Sequence, residues 1–160
     1  MKKADLSYSK DMKALSVRQP WALEINDGVK NLEFRTWKTD YRGPLLICAS
    51  SYDPGLWLDV DIEGDIHTLP LPLGCMLCVV NLVDIRPATK KEVEDGGGEW
   101  RKGLYAWVLE GGYNVEPEPV KGRLHLFDVP DEEIIEMPEG DYWFHCNYKG
   151  RDKPLPKRWA

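Results

Sequence analysis

The sequence predicts an α+β domain built on a small mixed barrel. Three observations support this. Five or six apolar or alternating runs have strand length, the helical stretches are few and short, and 160 residues suit one compact unit. Seven Trp and seven Tyr supply the large side chains that fill a small barrel, and such rings also stack well on bases.

The elements follow in order. Residues 1–13 are polar and read as a loose N-terminal arm. Ala14–Val17 is a short strand. Gln19-Pro20-Trp21 starts a helix over Pro20–Asp27, because a proline lacks only an N–H that the first turn leaves unpaired anyway. Trp21, Ala22 and Ile25 recur at helical spacing, which predicts a core role for Trp21, and Gly28 closes the helix. Asn31–Trp37 alternates as a strand, with Leu32, Phe34 and Thr36 on one face and Glu33, Arg35 and Trp37 on the other. Tyr41–Pro44 is a turn and Leu45–Ala49 a buried strand. Ser50–Pro72, with Asp59, Asp61, Glu63 and Asp65, reads as a solvated loop or helical insertion. Its acids lack the glycine and distal glutamate of a calcium loop.

Gly74–Ile85 is a long strand, Ala88–Glu94 a short helix, and Gly96–Gly98 a flexible break. Tyr105–Glu110 is a strand holding Trp107, and Gly111-Gly112 a turn. Val115–Val120 is extended, since Pro117 and Pro119 exclude a central strand. Leu124–Phe127 is a last strand and Asp131–Met137 a short acidic helix. Residues 14–137 thus form the domain. Residues 138–160 form a basic, aromatic C-terminal tail carrying Trp143, Lys149, Arg151, Lys153, Lys157, Arg158 and Trp159.

The net charge of −6 argues against nucleic acid for the molecule as a whole. The distribution argues the other way. Residues 1–50 hold nine Lys/Arg against six Asp/Glu, residues 51–140 seven against nineteen, and residues 141–160 five against two. The acid is concentrated in the middle, and both ends are basic. Cys75 and Cys78 form a C-x-x-C, but the other candidate zinc ligands (Cys48, His67, His125, His145 and Cys146) make no second pair. Apolar neighbours place the motif in a buried strand. No metal is therefore expected, and no cofactor, because no P-loop or dinucleotide fingerprint occurs; no Ser-His-Asp pattern is apparent either. The polar start carries no signal peptide, and no apolar run is long enough to span a membrane, so a cytoplasmic setting is expected.

One set of motifs is specific. A-L-S-V-R-Q-P-W-A runs from Ala14 to Ala22, followed by G-V-K-N-L-E-F-R-T-W from Gly28 to Trp37 and Y-R-G-P-L-L-I from Tyr41 to Ile47. Leu73-Gly74-Cys75, Gly103–Leu109, Gly122 and Leu126-Phe127 fit downstream. Over residues 14–135 the chain resembles the ASCH family, named for activating signal cointegrator homology. The resemblance implies a PUA-like pseudo-β-barrel and binding of RNA or another nucleic acid, with links to transcription coactivation and RNA processing. Some small bacterial members are amidohydrolases acting on 4-acetylcytidine, and nuclease activity is attributed to other relatives. In those amidohydrolases a Lys is followed three residues on by a Thr. Lys30 matches the Lys, and Glu33 stands where the Thr would be.

The residues' own chemistry points to the same stretch. Glu33 and Arg35 share a strand face, with Cα atoms about 6.5–7 Å apart, and Lys30 lies near its start. Arginine forks onto phosphate or stacks on a base, glutamate accepts from an exocyclic amine, and tryptophan stacks. Such a face suits one unpaired nucleotide better than a duplex groove. The candidate nucleic-acid-binding residues are Arg18, Gln19, Lys30, Glu33, Arg35, Trp37 and Arg42. The expected ligand is RNA or a modified nucleoside. Lys30 and Glu33 are the candidate catalytic pair if the protein is a hydrolase. A protein-interaction role through the acidic middle or the tail is the third alternative.

Overall fold

Strand β1 spans Asp11–Val17, so it starts three residues before the expected Ala14. The structure, a computed structural model, describes residues 10–145. Most of the N-terminal arm, and the basic stretch of the tail from Cys146 onward, lie outside the described residues.

Helix α1 (Trp21–Asn26) follows a cis Gln19–Pro20 bond. It buries Ala22, Leu23 and Ile25 and leaves Trp21 37% exposed, which corrects the expected core role of Trp21. Six residues make fewer than two turns, and Leu23 rather than Trp21 supplies the third core contact. Gly28 then turns the chain at φ 77°, a conformation that costs glycine little. The chain continues through β2 (Leu32–Arg35), β3 (Gly43–Ala49), β4 (Trp57–Ile62), β5 (Asp65–Pro70), β6 (Cys75–Pro87), α2 (Lys90–Asp95), β7 (Tyr105–Asn114) and β8 (Phe127–Pro130).

Six strands form one mixed sheet in the order β2-β7-β6-β3-β1-β8. β1 and β3 are parallel, and the other neighbours in this sheet pair antiparallel. The expected α+β class with short flanking helices is therefore present. Among the described residues β2 and β8 are the edges of the sheet and do not pair with each other, so the pseudo-barrel is open rather than closed.

The apolar run in β3 is explained by cover on both faces. Leu45, Ile47 and Ala49 join a core with Val17, Ile25, Leu77 and Trp107, whereas Leu46 and Cys48 join Met76, Phe127 and Val129 on the opposite side. Cys48, Cys75 and Cys78 are buried free thiols. Burial pushes the Cys75 and Cys78 thiols up to about 12, and Cys48 rises as well, so all three stay protonated and act as small apolar fillers.

Four expectations change. The acidic middle is a β-hairpin, β4–β5, turning at Glu63-Gly64. Its signal was the alternation Leu58, Val60, Ile62 against Asp59, Asp61. Val60, Ile62, Leu69 and Leu71 pack with Leu23 of α1 and with Trp143 from the start of the tail. Gly111-Gly112 makes no turn but lies inside β7, where the pairing with β6 is bulged. A Cβ on Gly112 would lie 1.9 Å from the Val79 carbonyl oxygen, so the second strand passes too close for any side chain. The last strand starts at Phe127 instead of Leu124, because the chain turns through His125 at φ 59°. The expected acidic helix is only a 3-10 turn over Asp131–Glu133.

Helix α2 is fixed by a capping box. Thr89 Oγ1 accepts from the Glu92 N–H at 3.2 Å, and Glu92 accepts from the Thr89 N–H at 2.7 Å. Arg86 from β6 also forks onto Glu92 at 2.8 and 2.9 Å and draws its carboxyl down to about 2. This anchorage places the wall of the cleft described next. Among the described residues no helix is long and apolar enough to cross a membrane.

Candidate nucleic-acid interface

The floor of the site is a short stretch of β2 at the sheet edge. Pairing with β7 sets Glu33 opposite Trp107 and Arg35 opposite Tyr105. The expected alternation holds: Glu33 and Arg35 share a face, and the Glu33 Oε2 accepts from Arg35 Nε at 2.9 Å. Arg35 Nη2 donates to the Ser16 carbonyl of β1 at 2.8 Å, so the guanidinium bridges two elements.

Lys30 reaches the same carboxylate from the loop behind α1. Its backbone N–H donates to the Glu24 carbonyl at 3.1 Å, and its Nζ lies 3.8 Å from Glu33 Oε1 and 4.8 Å from the centre of the Phe34 ring. Its side chain is only 12% exposed. Burial lowers the Lys30 pKa, Glu33 and Glu24 oppose that shift, and Arg35 adds to it. The floor is thus one carboxylate between two cations, with a net positive charge.

A cleft of about 740 Å³ opens above this floor. Arg18 and Trp21 line one side, and Val93, Gly96, Gly98, Glu99 and Arg101 of α2 and its following loop line another. Arg123, Leu124 and His125 also line it. Trp37 lies just beyond β2 and is gripped edge-on by two rings, Trp107 at 4.8 Å and His125 at 4.7 Å. Its carbonyl accepts from the Trp107 indole N–H at 3.3 Å. Trp21, on the lip, keeps an exposed ring.

The charge of the cleft is opposite to that of the chain. Five cations line it against two carboxylates, Glu33 and Glu99. Of the six arginines between residues 10 and 145, four line it. The two elsewhere face carboxylates: Arg86 holds Glu92, and Arg42 lies 4.0 Å from Asp84. Arg101 and Arg123 have no ion pair among the described residues, and Arg18 rests over the Tyr52 ring at 4.3 Å.

Of the candidates named from sequence, Arg18, Lys30, Glu33, Arg35 and Trp37 come together in this cleft. Gln19 and Arg42 do not. Gln19 is buried, where its amide caps α1 by accepting from the Leu23 N–H at 3.0 Å and donating to the Pro72 carbonyl at 2.9 Å. Arg42 donates to the Thr39 and Tyr41 carbonyls and stabilises its own turn. Sequence reasoning missed Trp21, Phe34, Arg101, Arg123, Leu124 and His125. The last four lie more than sixty residues from β2, and no local pattern joins them to it. Among the described residues no three His, Cys, Asp or Glu side chains gather closely enough to hold a metal ion.

Comparison with known proteins bears on this constellation. The chain is 34% identical over 79 residues to activating signal cointegrator 1 of Homo sapiens and 33% identical over 79 residues to that of Mus musculus. Each match covers 44% of this chain and 14% of the curated protein, so the chain spans only a small part of those relatives. The family model described as the ASCH domain matches residues 15–120, which include the whole floor of the cleft and the wall formed by α2 and its following loop. On that match the chain belongs to the ASCH domain family.

Proposed function

We propose that the cleft binds RNA and receives one unpaired or modified nucleotide. The observation that carries this reading is the concentration of arginines: of the six among the described residues of an otherwise acidic chain, four line one cleft, and there Arg18, Arg101 and Arg123 form no ion pair with a described carboxylate. An arginine with no protein acid to fork onto is suited to phosphate. The volume suits one nucleotide unit, since about 740 Å³ falls in the range of small-ligand sites. Trp21 offers a ring for base stacking, and Glu33 offers a lone pair to an exocyclic amine. The test is fluorescence anisotropy with single-stranded RNA at low salt. Lys30→Ala and Arg35→Ala, checked for folding by circular dichroism, weaken binding. Unchanged affinity in both removes the assignment.

A second reading is favoured by Lys30 itself. Glu33 can take a proton from a water molecule as its oxygen attacks the acyl carbon; the bond from that carbon to the exocyclic amine then breaks, and the neighbouring Lys30, a shielded amine with a lowered pKa, passes a proton to the leaving amine. On this reading the protein hydrolyses an acylated cytidine. Mass spectrometry of acylated cytidines incubated with the protein decides it. No turnover, or turnover that survives Lys30→Ala, eliminates the hydrolase.

A further inference from the structure

Leu124 is 88% exposed, more than any other large apolar side chain among the described residues, and yet it lines the cleft. Single exposed leucines are ordinary on protein surfaces. This one is distinguished by how its loop is held. On one side Gly122 sits so close to β1 that a Cβ there would lie 2.8 Å from Ser16 Oγ. On the other side His125 adopts φ 59°, a conformation uncommon outside glycine, with its ring edge-on to Trp37 at 4.7 Å. Leu126 beyond it packs against the main core. Between these two anchors, Arg123 and Leu124 are presented to the cleft on a pinned turn.

We propose that Leu124 is a wedge that enters a base step of the RNA strand, with Arg123 gripping the phosphate of that step. This rests on the reading of the cleft as an RNA site. A leucine cannot read a base edge, because it has no donor or acceptor. It can fill the gap between two bases and hold them apart, as apolar wedges do in other nucleic-acid complexes. The neighbouring Arg123 has no ion pair among the described residues and supplies the charge that keeps the strand in place. The nucleotide freed from the stack then has the adjacent cleft to enter. Leu124 is thus a positioning residue: it selects a strand conformation and reads no base.

The experiment uses the full chain and a single-stranded oligoadenylate carrying one 2-aminopurine, whose emission stacking quenches. Anisotropy of an end label reports binding, and 2-aminopurine emission, read for every protein in a Trp21→Ala background so that no ring on the lip re-stacks the freed base, reports unstacking. With Leu124 in place, emission rises severalfold on saturation. Leu124→Ala stays within about tenfold of wild-type affinity, since the arginines remain, but gives little rise. Leu124→Met, which keeps an aliphatic wedge, restores the rise. Because the side chain is exposed, neither substitution disturbs the core. Binding with Leu124 in place but without a rise in emission, or an undiminished rise with Leu124→Ala, overturns the wedge and leaves the RNA site standing. Absence of any RNA binding by the wild type overturns both.

Discussion

Glu33 Oε2 and Arg35 Nε lie 2.9 Å apart on one strand face, and Glu33 is only 8% exposed. Two residues along one edge strand thereby form a nearly buried ion pair, and Lys30 approaches the second oxygen of the same carboxylate. Glu33 therefore holds two cations that would otherwise repel each other across the floor of the cleft.

That arrangement makes Glu33 the most sensitive member of the floor. Glu33→Ala leaves Lys30 and Arg35 without their counter-ion in a poorly solvated place. It is expected to lower stability by about 2–4 kcal/mol in urea denaturation. Loss of less than about 0.5 kcal/mol would show that water already neutralises the pair.

Lys30 is expected to titrate below the ordinary lysine value of 10.5, because burial is the largest influence on it. Since the folded form gives up its proton earlier than the unfolded form, Lys30 opposes folding at neutral pH. That penalty fades as pH rises from its folded pKa towards 10.5. Reductive methylation with a carbon-13 label and NMR titration read the midpoint directly. Glu33→Gln moves the midpoint further down, since Glu33 is the first of the two groups that raise it. A midpoint at or above that of the exposed lysines contradicts the burial described here.

The exposed arginines have a separate signature. If Arg18, Arg101 and Arg123 each neutralise one phosphate, each alanine substitution reduces the slope of log affinity against log salt by about 0.7 for a single strand. The loss is similar across RNA sequences, because phosphate contacts carry no base information. Anisotropy titrations over a range of salt check both points, and a strong sequence dependence would assign these residues to base contacts instead.

Gly112 is expected to tolerate no side chain. Gly112→Ala forces a Cβ against the Val79 carbonyl at φ 117°, and thermal denaturation should show a loss of more than about 2 kcal/mol. Gly28, with φ 77° and nothing within 4 Å of an added Cβ, meets only the backbone penalty, about 1 kcal/mol, and serves as the control.

Gly112 also shows where sequence and structure part. Two adjacent glycines read as a turn, but here they serve a close crossing between β6 and β7 that only the paired strands reveal. The face of β2 was legible because strand alternation is local: Glu33 and Arg35 could fall only on one side. Lys30 joined them because Gly28 ends α1 close by. Trp21 was misread because a six-residue helix has too few turns for periodicity to choose its buried side. The hairpin was hidden because Asp59, Asp61, Glu63 and Asp65 drew attention away from the alternating Leu58, Val60 and Ile62 between them. Arg101 and Arg123 could not be found at all, since their nearness to Lys30 depends on the sheet order.

The long chain separation of the cleft's parts has a practical corollary. The most specific motifs of the family, within residues 15–50, supply Ser16, Arg18, Trp21 and the β2 floor. They lack the side formed by Val93 to Leu104 and the pinned turn at 123–125. Excised as a peptide, this stretch would also lose β7, the hydrogen-bonded neighbour of β2. Such a fragment would keep the most specific of the family's motifs and have no enclosed space for a ligand. The signature and the receptacle are different objects in this protein, and only the assembled sheet joins them.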